Sequence, residues 1–240
     1  MNRVESPAWD EYLLGGYFLC ETYPAGNAAE ASDSSGAVVS VSGCLCQTIP
    51  DSWAFRWADC EESDRVVQAG RFGLSQNALR RLMDWVEEHF GRDLGWPDVF
   101  FSREAAKAFA DEFLSDKKRA MLLGIGLPVS LAAGFLEETA PRKTDMVSGI
   151  CTLIEQGRLL SREGEIMGYE VLGLETDLMH SWMCHSEFGM ETVERLGISV
   201  GAHGLLTSES DAAAVARAYN EGPGTEPVWW APWLLARYEW

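Results

Sequence analysis

The sequence predicts an α+β protein in which a mixed, largely antiparallel sheet packs with several amphipathic helices. Residues 11–60 alternate short apolar runs with turn signals, as antiparallel strands do. Residues 75–113 instead carry apolar side chains at helical spacing, and strand-like patterns return after residue 168. We expect one domain over residues 1–240, because no internal repeat and no long linker divides the chain. An alternative division sets apart a minor N-terminal β subdomain at residues 1–65.

The composition limits the class of protein. With 47% hydrophobic residues and ten tryptophans, a chain of 240 residues can bury a substantial core. The 37 acidic and 19 basic residues give a net charge of −18, which repels nucleic acid and anionic lipid and attracts basic partners. The sequence has neither a signal-peptide pattern nor an uninterrupted apolar run of about 18 residues. We therefore expect a soluble, cytoplasmic protein that binds neither nucleic acid nor membranes.

The six cysteines are expected to be reduced thiols, since disulfides are rare in the cytoplasm. Cys20 and Cys151 have apolar neighbours and are interpreted as small core residues. Cys44 and Cys46 would face one side of a strand, where a soft metal or a redox pair is conceivable. The usual zinc spacing and a second ligand pair are missing, so we predict no metal and no cofactor.

Two helices follow the first β region. Ser75 is a good N-cap, and the helix after it ends near Gly91. Its apolar stripe consists of Leu79, Leu82, Met83, Val86 and Phe90. A second helix is expected to begin at Ser102 and to turn Ala105, Ala106, Phe109 and Phe113 inward.

The middle of the chain predicts a buried strand between helices. Residues 120–127, AMLLGIGL, are apolar without alternation, which is typical of a central strand. Pro128 stands where a helix over residues 129–139 can begin. Thr144 is predicted to cap a further helix that contains Ile150 and Ile154.

A hairpin is predicted from YEVLGLE and LMHSWMC, residues 169–175 and 178–184, with a turn between them. A short helix over residues 189–196 follows, and Ser210 is expected to cap another. The tail EPVWWAPWLLARYEW is expected to close the core with its tryptophans. Pro227 and Pro232 predict that this strand lies at an edge of the sheet or is interrupted.

The segment Met167 to Phe188 collects the residues that could carry chemistry. As one strand it would place His180, Trp182 and Cys184 on one face and His185 on the other. An enzyme hypothesis, a hydrolase or transferase, makes Cys184 or His180 essential, with His185, Glu170 or His203 assisting. Glu170 is interpreted either as an acid of raised pKa or as a solvent-facing residue of an alternating strand.

Four stretches carry a resemblance to a known group of proteins. They are LLGIGLP at 122–128, GYEVLGLE at 168–175, HSWMC at 180–184 and the closing VWWAPWLLARYEW. Over about residues 75–240 the chain resembles bacterial immunity proteins of toxin and immunity pairs. The resemblance implies a protein that neutralises a cognate toxin by direct binding, and it carries no catalytic residue.

The charge agrees with that implication, because a strongly acidic surface speeds the capture of a basic toxin. The candidate partner-binding residues are the acidic clusters of the chain. These are Asp59, Glu61, Glu62 and Asp64; Glu87 and Glu88; and Glu137 and Glu138. Each cluster could equally be a solvated face. A third hypothesis is a structural protein that forms a homo-oligomer through a symmetric apolar patch.

Overall fold

The structure is a computed structural model that describes residues 8–21, 38–43, 45, 48–50, 75–114, 116–139, 148–175, 179–222, 226 and 228–240. Its strands are β1 Tyr12–Glu21, β2 Thr48–Ile49, β3 Leu94–Gly95, β4 Val99–Phe100, β5 Ala120–Pro128, β6 Glu165–Leu174, β7 Met179–Ser181 and β8 Trp230–Tyr238. Its helices are α1 Gln76–His89, α2 Arg103–Phe113, α3 Ala132–Thr139, α4 Gly149–Gln156, α5 Ser186–Leu196 and α6 Glu209–Glu221. The paired strands are antiparallel, so the predicted α+β class is confirmed.

The described strands form one sheet in the order β3-β4-β1-β5-β8-β6-β7, with β2 pairing to β1. The apolar segment at 120–127 is a central strand as predicted, since β5 lies between β1 and β8. The edge position predicted for the C-terminal strand is wrong, because β8 lies between β5 and β6. Pro232 is tolerated there because β8 pairs with β5 only from Leu234 to Tyr238, whereas Pro232 pairs with Val171 of β6. At that level the strand needs hydrogen bonds on one side only.

Strand β1 contains a bulge at its glycines. The register with β5 shifts between Leu14 and Gly16, and Gly16 has a φ of +134°. A Cβ atom on Gly16 would lie 1.9 Å from Cγ2 of Val99. Glycine is therefore required both by the backbone conformation and by the close approach of β4.

The helix caps predicted in the first half of the chain are confirmed. The hydroxyl groups of Ser75 and Ser102 accept from the backbone amides of Ala78 and Ala105, as predicted. Two later predictions shift by a few residues. Helix α4 is capped by Ser148, and Thr144 lies outside the described residues. Helix α6 is capped by Ser208, two residues before the predicted Ser210.

The core is built largely from aromatic side chains of the sheet and helices. Trp182, Trp230 and Trp233 are fully buried. The prediction that the tail closes the core is confirmed for Trp230 and Trp233, whereas Trp229 is half-buried and Trp240 is exposed. Aromatic contacts also join the helices to the sheet. The ring centroids of Phe135 in α3 and Trp233 lie 5.5 Å apart, and those of Tyr219 in α6 and Trp230 lie 4.9 Å apart. The predicted interior cysteines Cys20 and Cys151 are buried, whereas Cys44, Cys46 and Cys60 lie outside the described residues.

Candidate functional site

The β6–β7 hairpin and the turn after it hold four of the five residues of the enzyme hypothesis, whereas His203 lies in a separate 3-10 helix over Ala202–Gly204. Glu170 lies in β6 and His180 in β7, whereas Cys184 and His185 lie in a 3-10 helix over Trp182–His185. The expectation of one strand through residue 184 is wrong, because β7 ends at Ser181. The turn is stabilised locally: the Ser181 amide donates to Sγ of Cys184 at 3.3 Å, and the Met183 amide donates to Oγ of Ser181 at 3.2 Å.

Glu170 is a buried carboxyl group. Only 2% of the residue is exposed, so the solvent-facing interpretation is wrong. Ser40 donates its hydroxyl to Oε1 of Glu170 at 2.5 Å. Burial raises the pKa of Glu170 to about 7, although hydrogen bonds from Ser40, Ser181 and the Val41 amide act in the opposite direction. The acid of raised pKa is therefore the interpretation that the structure supports.

The buried carboxyl group belongs to a polar cluster that we call the Glu170 cluster: Glu170, Ser40, Ser42, Ser181 and Cys184. The Ser42 amide donates to Oγ of Ser40 at 2.9 Å, and Oγ of Ser42 lies 3.7 Å from Sγ of Cys184. Among the described residues, Glu170 forms no ion pair with a lysine or arginine. A buried carboxylate without a paired cation is unfavourable, so this carboxyl group takes up a proton as pH falls toward 7.

Residues 38–43 supply two of the serines in this cluster. The alternation of valine and serine predicts a half-buried strand here, yet Ser40 and Ser42 are buried along with Val39 and Val41. The segment is held by single backbone bonds, from the Val39 amide to the carbonyl of His203 and from the Gly43 amide to that of Met179. The alternation of residues 38–43 assigns Ser40 and Ser42 to the solvent side, so the sequence pattern does not predict them as site residues. Ser181 likewise carries no signal in the sequence.

His180 lies between two carboxylates. Its Nε2 atom is 2.9 Å from Oε2 of Glu175, and its Nδ1 atom is 3.5 Å from Oε1 of Glu226. The side chain is 8% exposed, and it links the turn after β6 to the segment before β8. An imidazole that bridges two chain segments in this way stabilises the fold. The thiol of Cys184 has Ser42 and Ser181 as described contacts, and the side chain of His185 lies outside the described residues.

A groove of about 570 Å³ lies between α5 and α6, and its lining contains none of Glu170, His180 and Cys184. Within the described ranges, no group of three or more histidine, cysteine, aspartate or glutamate side chains is arranged to hold a metal ion. None of the described helices is long and apolar enough to cross a lipid bilayer.

The acidic candidates divide between described and undescribed parts of the chain. Glu87 and Glu88 of α1 and Glu137 and Glu138 of α3 are exposed. Glu88 lies 3.9 Å from Arg92, whereas Glu137 and Glu138 form no ion pair within the described residues. The remaining candidates, Asp59, Glu61, Glu62 and Asp64, lie outside them.

Comparison with known protein families, with curated proteins and with solved structures gives no match to this chain.

Proposed function

We propose that this chain is an immunity-type binding protein that neutralises a cognate, basic bacterial toxin in the cytoplasm by covering it with an acidic surface. One contrast carries the proposal. Glu170 and His180, two of the groups that could perform acid–base chemistry, are buried among protein atoms, whereas Glu137 and Glu138 face solvent. A catalytic group must reach its substrate, while a binding surface only has to be exposed.

The balance of charges supports a basic partner. The net charge is −18, and many of the described basic side chains already pair with acids of the same chain. These pairs are Arg81–Glu112, Arg92–Asp93, Arg103–Glu163, Lys117–Asp111, Arg162–Asp10 and Arg237–Glu165. The excess acids therefore have few internal cations to neutralise them. Such a surface accelerates association with a basic protein and makes that rate sensitive to salt.

The resemblance of four segments to immunity proteins gives the proposal its biological class. It concerns stretches that include the central strand β5, the β6–β7 hairpin and β8. The occlusion mechanism accounts for the burial of Glu170 and His180, and it requires no reaction at the half-buried Cys184. Tight inhibition would add aromatic or apolar anchors to the acidic field.

The test is co-expression with the protein encoded by the neighbouring gene, with growth of the host as the readout. Growth should be rescued by the wild-type chain and equally by Cys184→Ala, because occlusion needs no thiol. The purified pair should associate more slowly as salt increases from about 0.01 M to about 0.15 M, where the Debye length falls to about 8 Å.

Two outcomes would reject the proposal. One is the absence of complex formation between the purified proteins. The other is rescue that is lost with Cys184→Ala although the variant folds and still binds, since that result would favour the hydrolase or transferase hypothesis. Rescue without binding would likewise indicate an enzyme that modifies the toxin or its product.

A further inference from the structure

The groove between α5 and α6 is lined by equal numbers of acidic and basic side chains. Glu191 and Arg195 line it from α5, and Arg217 and Glu221 line it from α6. Two acids and two bases give this surface a net charge of zero, in a chain whose net charge is −18. It is thus a neutral region on a strongly acidic protein.

None of these four side chains uses its charge within the described residues. Glu191 and Arg195, like Arg217 and Glu221, are four residues apart on one helix, a spacing at which ion pairs form readily. Neither pair comes within 4.0 Å, and all four residues are exposed. Their charges are available to groups outside the monomer.

The lining of the groove also contains apolar side chains. Phe188 and Leu196 of α5 and Ala214 and Ala218 of α6 contribute to its lining. Leu196 is 40% exposed and is among the large hydrophobic residues that the fold leaves in contact with water. Protein interfaces usually combine apolar and charged side chains in this way.

We propose that this groove is a homodimer interface, in which two copies of the chain meet through α5 and α6 about a two-fold axis. In a two-fold interface the same surface serves both partners, so it must be complementary to itself. Equal numbers of glutamate and arginine satisfy this requirement, since each glutamate can face an arginine of the other copy. A purely acidic partner or a purely basic one would meet like charges in the same groove.

The acidity of the whole protein favours this surface over others for self-association. Two copies of charge −18 repel each other, and the repulsion is smallest where the approaching surfaces are neutral. Burying Leu196 against its counterpart then contributes the hydrophobic part of the stabilisation. The dimer does not depend on the proposed toxin binding.

The experiment is sedimentation velocity of the full chain at about 0.15 M salt, where long-range repulsion is screened. The wild-type protein should sediment with the mass of a dimer, 2 × 26.6 = 53.2 kDa. The variant Arg195→Glu/Arg217→Glu should weaken the dimer by more than about 100-fold, because four acids then face four acids. Leu196→Asp should have a similar effect, because the dimer would then bury a charge in place of the leucine side chain.

A matched control separates the interface from general repulsion. Arg80→Glu/Lys118→Glu makes the same change in net charge, from −18 to −22, at exposed residues outside the groove lining. This control should remain dimeric. A further variant, Glu191→Lys/Glu221→Lys, should dissociate alone and form a heterodimer when mixed with Arg195→Glu/Arg217→Glu.

A wild-type protein that is monomeric at all concentrations would overturn the proposal. A dimer that survives both Arg195→Glu/Arg217→Glu and Leu196→Asp would also overturn it, because the contact would then lie elsewhere. Toxin neutralisation by a groove variant that is monomeric would leave the proposed function intact, so the two proposals fail independently.

Discussion

The hydroxyl group of Ser40 donates a hydrogen bond of 2.5 Å to the buried carboxyl group of Glu170, which is 130 residues further along the chain. This bond attaches residues 38–43 to the β6–β7 hairpin. Its acceptor changes charge near neutral pH, so the strength of the attachment depends on pH. The first two predictions follow from this pair.

The protein should lose stability as pH rises from about 4.5 to above 7. Burial raises the pKa of Glu170 from 4.5 to about 7, so in this window the folded protein binds a proton that the unfolded chain has released. The difference between 4.5 and about 7 corresponds to about 3 kcal/mol of folding free energy. The contribution is fully present below pH 4.5 and is lost as pH passes 7. Other ionisable groups also make the free energy of unfolding depend on pH. The wild type is therefore compared with Glu170→Gln, which keeps the shape of the side chain but does not ionise.

Urea unfolding at several pH values measures this difference. Glu170→Gln should gain stability relative to the wild type at pH 8 and little at pH 5. Glu137→Gln removes an exposed carboxyl group of α3 and should behave like the wild type throughout. Parallel curves for the wild type and Glu170→Gln would show that Glu170 is ionised in the same range folded and unfolded.

Ser40→Ala should destabilise the protein by about 1–3 kcal/mol above pH 7, because a buried carboxylate loses a hydrogen-bond donor. The pKa of Glu170 should rise further, since the Ser40 bond acts to lower it. In the background of Glu170→Gln the cost should be smaller, and a double-mutant cycle measures the coupling. Ser130→Ala, at an exposed serine, should change stability little. Additive effects of Ser40→Ala and Glu170→Gln would contradict this prediction.

Gly16→Ala should cost about 3 kcal/mol or more. The new methyl group would overlap Cγ2 of Val99, and the φ of +134° is unfavourable for alanine. Gly134→Ala is the matched control in α3, where the nearest side-chain atom is Cζ2 of Trp229 at 3.9 Å. There alanine should stabilise the helix by about 0.5–1 kcal/mol. Thermal unfolding of both variants is the measurement, and equal shifts of Tm would be inconsistent with the β1 bulge.

Asn220→Asp should be more destabilising than its small change in shape suggests. The Asn220 side chain donates Nδ2–H to the carbonyl of Trp230 at 2.9 Å and accepts from the Trp230 amide at 2.8 Å. Aspartate keeps the acceptor but turns a carboxylate oxygen toward the carbonyl. We expect a loss of about 1–2 kcal/mol at neutral pH that shrinks as the carboxylate is protonated in acid. Asn220→Ala should not show the recovery in acid, and identical pH profiles for the two variants would argue against the paired bond.

Local features of the sequence predict much of this fold. Ser75 and Ser102 each precede an apolar stripe, and a cap is decided by the few residues around it. Ser208 and Ser210 are both suitable caps, so the pattern places α6 correctly but not its first residue. The hairpin of β6 and β7 is also local, because its strands are adjacent in the chain.

The remaining features depend on distant partners. Pro232 predicts an edge strand by the ordinary rule. A central strand accepts it because the pairing of β8 with β5 stops at Leu234 opposite Gly126, two residues after Pro232. Glu170 has neighbours in sequence that suit a buried or an exposed carboxyl group equally well. Its burial is decided by Trp233 opposite it on β8 and by Ser40 above it, which are 63 and 130 residues away.

The position of β8 has a consequence for the order of folding. The strands β3, β4, β1 and β5 form one side of the sheet, and β6 and β7 form the other. Both sides precede β8 in the chain, and β8 is the strand that pairs with each of them. During synthesis, β5 and β6 therefore each have one edge without its native partner until β8 is available. Pairings such as Leu122 with Tyr238 span more than 100 residues, and contacts of such high sequence separation slow folding.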